Sequence, residues 1–169
     1  MINIEIICIG KIKEKSLSSL CDEYTKRLSK YCKLTLTELS DENLNNVDSD
    51  TEKEKIKDLE GKKILNRISK ISKPYIISLD PNGKMYDSVE FSNKIENITN
   101  YNSSNIVFII GGSLGISNDV LLNSNEKISF SKMTFPHQLF RVFLLEQIYR
   151  VFKINNNEAY HKWYAFVFI

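Results

Sequence analysis

Two short stretches of the chain combine residue types that suit a small-molecule site. In the first, VFIIGGSLG, the glycines Gly111, Gly112 and Gly115 directly follow an apolar run. The second, FSKMTFPHQLFR from Phe130 to Arg141, places a lysine, a methionine, a threonine and a histidine between a short apolar segment and a long apolar helix. Glycine lets the backbone approach a ligand without interference from a Cβ atom. We therefore predict that the two stretches form opposite walls of one site.

The pattern of the glycines excludes two common nucleotide sites. The spacing is G-G-x-x-G rather than G-x-G-x-x-G, and no acidic residue closes the next strand, which disfavours a nicotinamide dinucleotide. The Walker pattern of triphosphate-binding proteins is also absent from the sequence. The remaining interpretation is a ligand that backbone amides and apolar side chains hold at the carboxyl ends of parallel strands. The alternative is that the glycines only form a tight turn.

Arg141 is a charged residue whose predicted position does not suit a solvent-exposed side chain. At about 100° per residue it falls inside an apolar arc of the last helix, formed by Leu144, Leu145, Ile148 and Phe152. Its guanidinium keeps its charge and needs hydrogen-bond acceptors, which either the protein or a ligand can provide. Glu146 and Arg150 lie four residues apart and are predicted to pair with each other.

Strands and helices must alternate to bring these residues together. Strands are predicted at Ile2 to Ile9, Leu34 to Leu39, YIISL, Asn105 to Ile110 and KISFS, with a tight turn at DPNGK. Helices are predicted at Glu14 to Tyr31, Thr51 to Ser69, Ser88 to Ile98, Asp119 to Asn123 and Pro136 to Ile154. This order predicts an α/β domain with a mostly parallel sheet flanked by helices. The charge run of the second helix is interpreted as a solvated face.

Composition limits the class of protein. With 169 residues, 42% hydrophobic residues and a net charge of +2, the chain has the length of one globular domain and lacks the strong positive charge of proteins that coat nucleic acid. Cys8, Cys21 and Cys32 are odd in number and have no metal-ligand spacing, so we expect buried thiols and no metal site. The N-terminus is interpreted as a first strand without a leader, and the expected location is the cytoplasm. The last helix is apolar almost all round, which predicts a homodimer.

Seven motifs in order give the chain a specific resemblance. They are IGKIKEK, EYTKRLSKY, LEGKKIL, SLDPNGK, VFIIGGSLG, FSKMTFPHQLFRVFLLEQIYR and AYHK, and the match covers the chain from Ile2 to Lys162. With these motifs the sequence resembles the RlmH family, SPOUT-class enzymes that methylate N3 of a pseudouridine in large-subunit (23S) ribosomal RNA.

The resemblance implies an α/β-knot domain over residues 1–162 with a C-terminal deep trefoil knot, a homodimer, ribosomal RNA as partner and S-adenosylmethionine as cofactor. It also implies which residues bind the cofactor, namely Leu79, Gly111, Gly112, Phe130, Ser131, Lys132, Met133, Thr134 and Phe135.

Catalytic and RNA-binding residues follow from the same resemblance. Removing the proton from an imide N3 needs a base or a cation that stabilises the anion, and Arg141 and His161 are the candidates, the latter reaching the partner's pocket. The alternative for His161 is a surface histidine, and His137 is interpreted as structural. Lys11, Arg150 and Lys162 are the candidates for RNA contacts.

The chain departs from the family pattern at its end. Residues 163–169, WYAFVFI, form an atypical apolar tail after the YHK motif. Two alternatives stay open. One is a non-catalytic protein that binds S-adenosylmethionine and in which the tail blocks RNA, and the other is a SPOUT methyltransferase with another RNA target.

Overall fold

The structure, a computed structural model, describes residues 1–44 and 48–160. Strands and helices alternate through this part of the chain. The strands are β1 (Ile2–Ile9), β2 (Cys32–Leu39), β3 (Tyr75–Met85), β4 (Asn105–Ile110) and β5 (Glu126–Ser129). The helices are α1 (Lys15–Leu28), α2 (Asp50–Ile68), α3 (Ser88–Tyr101), α4 (Asn118–Leu122) and α5 (His137–Asn155).

The strands form one parallel sheet in the order β2-β1-β4-β3-β5. Strands β1 and β4 are interior, and Ile6 pairs with Leu36 on one side and with Phe108 on the other. Both faces of these strands are buried, which explains why their sequences run apolar without alternation. The α/β class with a parallel sheet is confirmed.

Helices cover the two faces of the sheet unequally. The hydrophobic core consists of two clusters, one on each face of the sheet. Ile4 and Ile6 of β1 belong to the cluster with α1, α3 and α5, whereas Ile7 and Ile9 belong to the cluster with α2 and α4. Helix α2 begins with a capping box, in which the Ser49 side chain accepts from the backbone N–H of Glu52 and the Glu52 side chain accepts from that of Ser49. The helix therefore starts at Asp50, one residue before the predicted start.

The tight turn predicted at DPNGK is wrong. Strand β3 continues through this segment to Met85, and its pairing with β5 is interrupted by an irregularity between Leu79 and Lys84, which both face Ile128. A Cβ atom at Gly83 would lie 2.5 Å from the backbone carbon of Ile128, so only glycine fits this close approach. The Pro, Asn and Gly that signal a turn here form a strand irregularity instead.

Burial departs from the predicted helix faces at three places. The three- and four-residue spacing of apolar residues in the first two helices predicts that Leu20 and Leu59 lie on apolar faces, yet both are exposed. Glu60, expected on a solvated face, is buried.

The three cysteines are buried and free. None of the helices in residues 1–44 and 48–160 is long and apolar enough to span a bilayer.

Candidate functional site

A cavity of about 420 Å³ lies between the irregular middle of β3 and the segments around the ends of β4 and β5. Its lining comprises residues 79–81 of β3, residues 110–116 at and after the end of β4, and residues 128–131, 133–137 and 140 around the end of β5. The volume falls in the range of small-molecule sites, and the location is the one that ligands take in open α/β sheets. The two stretches predicted as opposite walls do line one cavity.

The segment 111–117, here called the glycine loop, depends on glycine at two positions. A Cβ atom at Gly111 would lie 2.7 Å from the backbone carbon and oxygen of Gly115, which leaves no room for a side chain. Gly115 has φ +91°, a conformation that other residues rarely adopt, and its N–H donates to the oxygen of Gly112 at 3.0 Å. The loop folds back on itself and presents backbone to the cavity.

The segment 130–136, here called the crossing segment, is held by aromatic contacts and a serine turn. The ring of Phe130 lies 5.1 Å from that of Phe140, and the ring of Phe135 lies 6.1 Å from it, between ring centroids. Ser131 Oγ accepts from the N–H of Met133 at 2.9 Å. Met133 is 75% exposed and yet lines the cavity, so it lies at the mouth.

The structure brings most of the predicted cofactor residues to this cavity. Those that line it are Leu79, Gly111, Gly112, Phe130, Ser131, Met133, Thr134 and Phe135. Lys132 is exposed and is not among the lining residues. Four further lining residues are not among those that the sequence indicated for the cofactor: Asp80, Ser113, Leu114 and Phe140. Asp80 lies at the irregularity of β3, Ser113 and Leu114 lie in the glycine loop, and Phe140 lies on the first turn of α5.

The guanidinium of Arg141 is bound by groups of the protein itself. It is 1% exposed, and its Nη1 lies 2.6 Å from Glu38 Oε1. Its Nη2 donates to the backbone oxygens of Ile9 at 3.1 Å and Gly10 at 2.6 Å. It does not line the cavity, so of the two alternatives, acceptors from the protein or from a ligand, the structure presents the first.

His137 contributes to the cavity wall, although the sequence indicated only a structural role. It is the first residue of α5 and lies half-buried. Burial, reinforced by the positive charge of Arg141, lowers the pKa of His137 below its ordinary value of 6.5. At neutral pH the imidazole is therefore neutral, with one nitrogen free to accept a proton.

The two candidates for RNA contacts within the described residues, Lys11 and Arg150, are not among the residues that line the cavity. Lys11 is exposed in the segment between β1 and α1. Arg150 pairs with Glu146 at 2.5 Å, as predicted, and its guanidinium lies 5.0 Å from the centre of the Tyr160 ring. His161 and Lys162 lie outside the described residues. Across the described residues, no three His, Cys, Asp or Glu side chains are grouped so as to hold a metal ion.

Known proteins similar to this chain identify its family. The family described as "Predicted SPOUT methyltransferase" matches residues 2–161. Proteins named ribosomal RNA large subunit methyltransferase H are 56% identical in Clostridium botulinum strain Eklund 17B, 54% in Clostridium novyi and 52% in Clostridium acetobutylicum. Each alignment covers 160 residues, 95% of this chain and 99% of the relative. The chain therefore belongs to the SPOUT methyltransferase family, in agreement with its resemblance to RlmH.

Proposed function

We propose that this protein transfers a methyl group from S-adenosylmethionine to N3 of a pseudouridine in large-subunit (23S) ribosomal RNA, on the assembled ribosome. The single observation that carries the proposal is the cavity built from the glycine loop, the crossing segment and Leu79 in a chain of this family. The relatives with more than half of their residues identical are named as methyltransferases of that RNA.

The residues around the cavity fit the cofactor. A nucleoside with a sulfonium-linked amino-acid arm needs apolar surface for its base and backbone groups for its polar atoms, and the cavity offers both. Gly111 is a position where a side chain would fill the loop, so the cradle depends on bare backbone. When bound, S-adenosylmethionine supplies a methyl group activated by its positively charged sulfur.

The protein's task is chiefly to position the two substrates. We infer that the backbone of residues 111–115 and 131–134 orients the cofactor, while Leu79, Phe130 and Phe140 exclude water from it. The resemblance assigns Lys132 to the same site, and its exposed position suits a contact at the mouth after RNA has docked.

The acceptor nitrogen must lose a proton. Arg141 is held by Glu38 and two backbone oxygens, so we assign it to fixing the start of α5 rather than to the reaction. His161, from the YHK motif, remains the proposed catalytic group, delivered by the partner subunit. Within the described residues, His137 is a second candidate because it lines the cavity in neutral form.

Quaternary structure and topology extend the same proposal. We propose a homodimer whose subunits are single α/β-knot domains over residues 1–162, with a deep trefoil knot formed by the segments that enclose the cavity. The family resemblance and the largely apolar sequence of α5 support the dimer. Lys11, Arg150 and Lys162 are proposed as phosphate contacts, and the cytoplasm as the location.

Methyl transfer to ribosomes tests the proposal. Ribosomes from a strain that lacks the modification are incubated with the protein and cofactor, and the nucleosides are analysed by mass spectrometry. We expect 3-methylpseudouridine to appear at one position. Methylation of another nucleotide would favour a different RNA target, and cofactor binding without any transfer would favour a non-catalytic binding protein. Repeating the assay after deletion of residues 163–169 measures the effect of the tail.

A further inference from the structure

Helix α2 contacts the glycine loop, although none of its residues lines the cavity. Gly61, inside this helix, packs against Ser117 at the end of the loop. A Cβ atom at Gly61 would lie 2.1 Å from Ser117 Oγ and 2.9 Å from Ser117 Cβ. Glycine inside a helix is less stable than alanine, and the close contact supplies the reason for it here.

Glu60, the neighbour of Gly61, contacts the same loop at its other end, next to Gly112. It is 5% exposed, and its Oε1 accepts from the backbone N–H of Glu42 at 3.1 Å. Its Oε2 is buried and has no hydrogen-bond partner within the described residues. A Cβ atom at Gly112 would lie 2.9 Å from that oxygen. The carboxyl group thus fills the space between the chain that follows β2 and the glycine loop.

A second, smaller cavity shows how the contact reaches the main one. This cavity, of about 210 Å³, is lined by Glu60, by residues 41–44 and by Ser113 and Leu114. Ser113 and Leu114 also line the main cavity. The glycine loop therefore lies between Glu60 and the main cavity.

The chemistry of Glu60 argues against a role in stability alone. A buried carboxyl group with one unpartnered oxygen costs free energy that an apolar side chain of similar size would not. Side chains kept at such a cost are found where they hold a functional segment in place.

We propose that Glu60 and Gly61 are positioning residues for the cofactor, which hold the glycine loop from α2 in its ligand-binding shape. This inference rests on the proposed function, because it takes S-adenosylmethionine as the ligand of the main cavity. Glu60 sets the position of Gly112, and Gly61 sets that of Ser117, so the two ends of the loop are fixed by adjacent residues of one helix turn.

The test measures cofactor affinity by calorimetry together with the Tm of the ligand-free protein. The ligands are S-adenosylmethionine and 5′-methylthioadenosine, which lacks the amino-acid arm. Gly61→Ala is expected to raise both dissociation constants at least tenfold, and adding Ser117→Gly is expected to restore them to within about threefold, because glycine is tolerated at a helix N-cap. Glu60→Ala is expected to raise both constants by similar factors, and Glu60→Gln, which keeps the acceptor for Glu42, to rescue them.

The control is Ile68→Val, a buried truncation two turns further along α2, which is expected to lower the Tm without changing either affinity. Wild-type affinity for both ligands in Glu60→Ala would overturn the inference. If Gly61→Ala does not fold, the affinities of Glu60→Ala provide the test. Loss of affinity for S-adenosylmethionine alone would also overturn it, because Glu60 would then contact the amino-acid arm directly. A wild-type protein that binds neither ligand would overturn the proposed function itself.

Discussion

The guanidinium of Arg141 lies 2.6 Å from the carboxylate of Glu38, a residue 103 positions earlier in the chain. The same guanidinium lies 2.6 Å from the carbonyl oxygen of Gly10, and Glu38 also accepts from the N–H of Ile12 at 2.9 Å. One arginine thus ties the start of α5 to the ends of β1 and β2. Because His137 lies one turn before Arg141, this network fixes a wall of the cavity.

Breaking the network is expected to destabilise the fold strongly. Arg141→Met leaves Glu38 and two carbonyl groups without their partner, and we expect the free energy of unfolding to fall by about 3 kcal/mol, the lower end for buried pairs because Glu38 is partly solvated. Urea denaturation measures this change. Lys53→Ala, which removes the exposed pair with Asp50, serves as the control and should cost less than about 1 kcal/mol. Equal decreases in the free energy of unfolding in the two variants would show that the Arg141 network stabilises the fold no more than an exposed ion pair does.

A methyl group is expected to weaken cofactor binding more at Gly111 than at Gly115. Gly111→Ala places a carbon atom 2.7 Å from the backbone of Gly115, so the loop must move and the dissociation constant for S-adenosylmethionine should rise at least tenfold. Gly115→Ala meets no atom within 4 Å and adds the strain of its positive φ, on the order of 1–3 kcal/mol. We expect a smaller loss of affinity there. Calorimetric titration of both variants gives the comparison, and a larger effect at position 115 would contradict the described loop.

The order of strands and helices could be predicted from the sequence because each buried strand is a short apolar run. Strands Ile2–Ile9 and Asn105–Ile110 have the predicted bounds. The DPNGK segment could not be predicted, because its turn residues are overridden by the pairing of Lys84 and Met85 with β5. Local signals do not report such long-range pairing.

The site was predictable only in part for the same reason. Glycines after a strand and a polar joint before a helix indicate a pocket from local sequence alone. The partner of Arg141 lies 103 residues away, and Glu60 sits in a charge run typical of a solvated helix face. Each of these two charged residues is buried by an element distant in sequence, so no local pattern distinguishes it from a surface residue.

Glu158 is expected to stabilise the end of α5 in a pH-dependent way. Hydrogen bonds from Lys153 and Tyr31, with a further one from Lys30, lower the pKa of Glu158 from 4.5 to about 2. A lowered pKa in the folded state means that this stabilisation is present above about pH 4.5 and is lost as the pH falls towards 2. In Glu158→Gln the Tm should be lower at pH 7, and the pH dependence between these values flatter. Glu14→Gln, at an exposed position without a side-chain cap hydrogen bond, is the control. An unchanged pH profile in Glu158→Gln would contradict the assignment.

Glu60 is expected to show the opposite pH dependence. Burial raises its pKa above 4.5, and Asp41 and Glu42 act in the same direction, while the Glu42 N–H and Lys63 act against them. Because the folded state then binds the proton more tightly than the unfolded state, stability falls as the pH rises from 4.5 through the raised pKa. Glu60→Gln should remove this fall, as measured by urea denaturation at a series of pH values. A variant that retains the full wild-type slope would show that another group is responsible.

Direct titration of the wild-type protein with S-adenosylmethionine tests the central claim, that the cavity bounded by Leu79, the glycine loop and the crossing segment is the cofactor site. Calorimetry is expected to show saturable binding that raises the Tm, and Gly111→Ala is expected to weaken it at least tenfold while remaining folded. No binding heat and no change in Tm with folded wild-type protein, or equal affinity in wild type and Gly111→Ala, would contradict it.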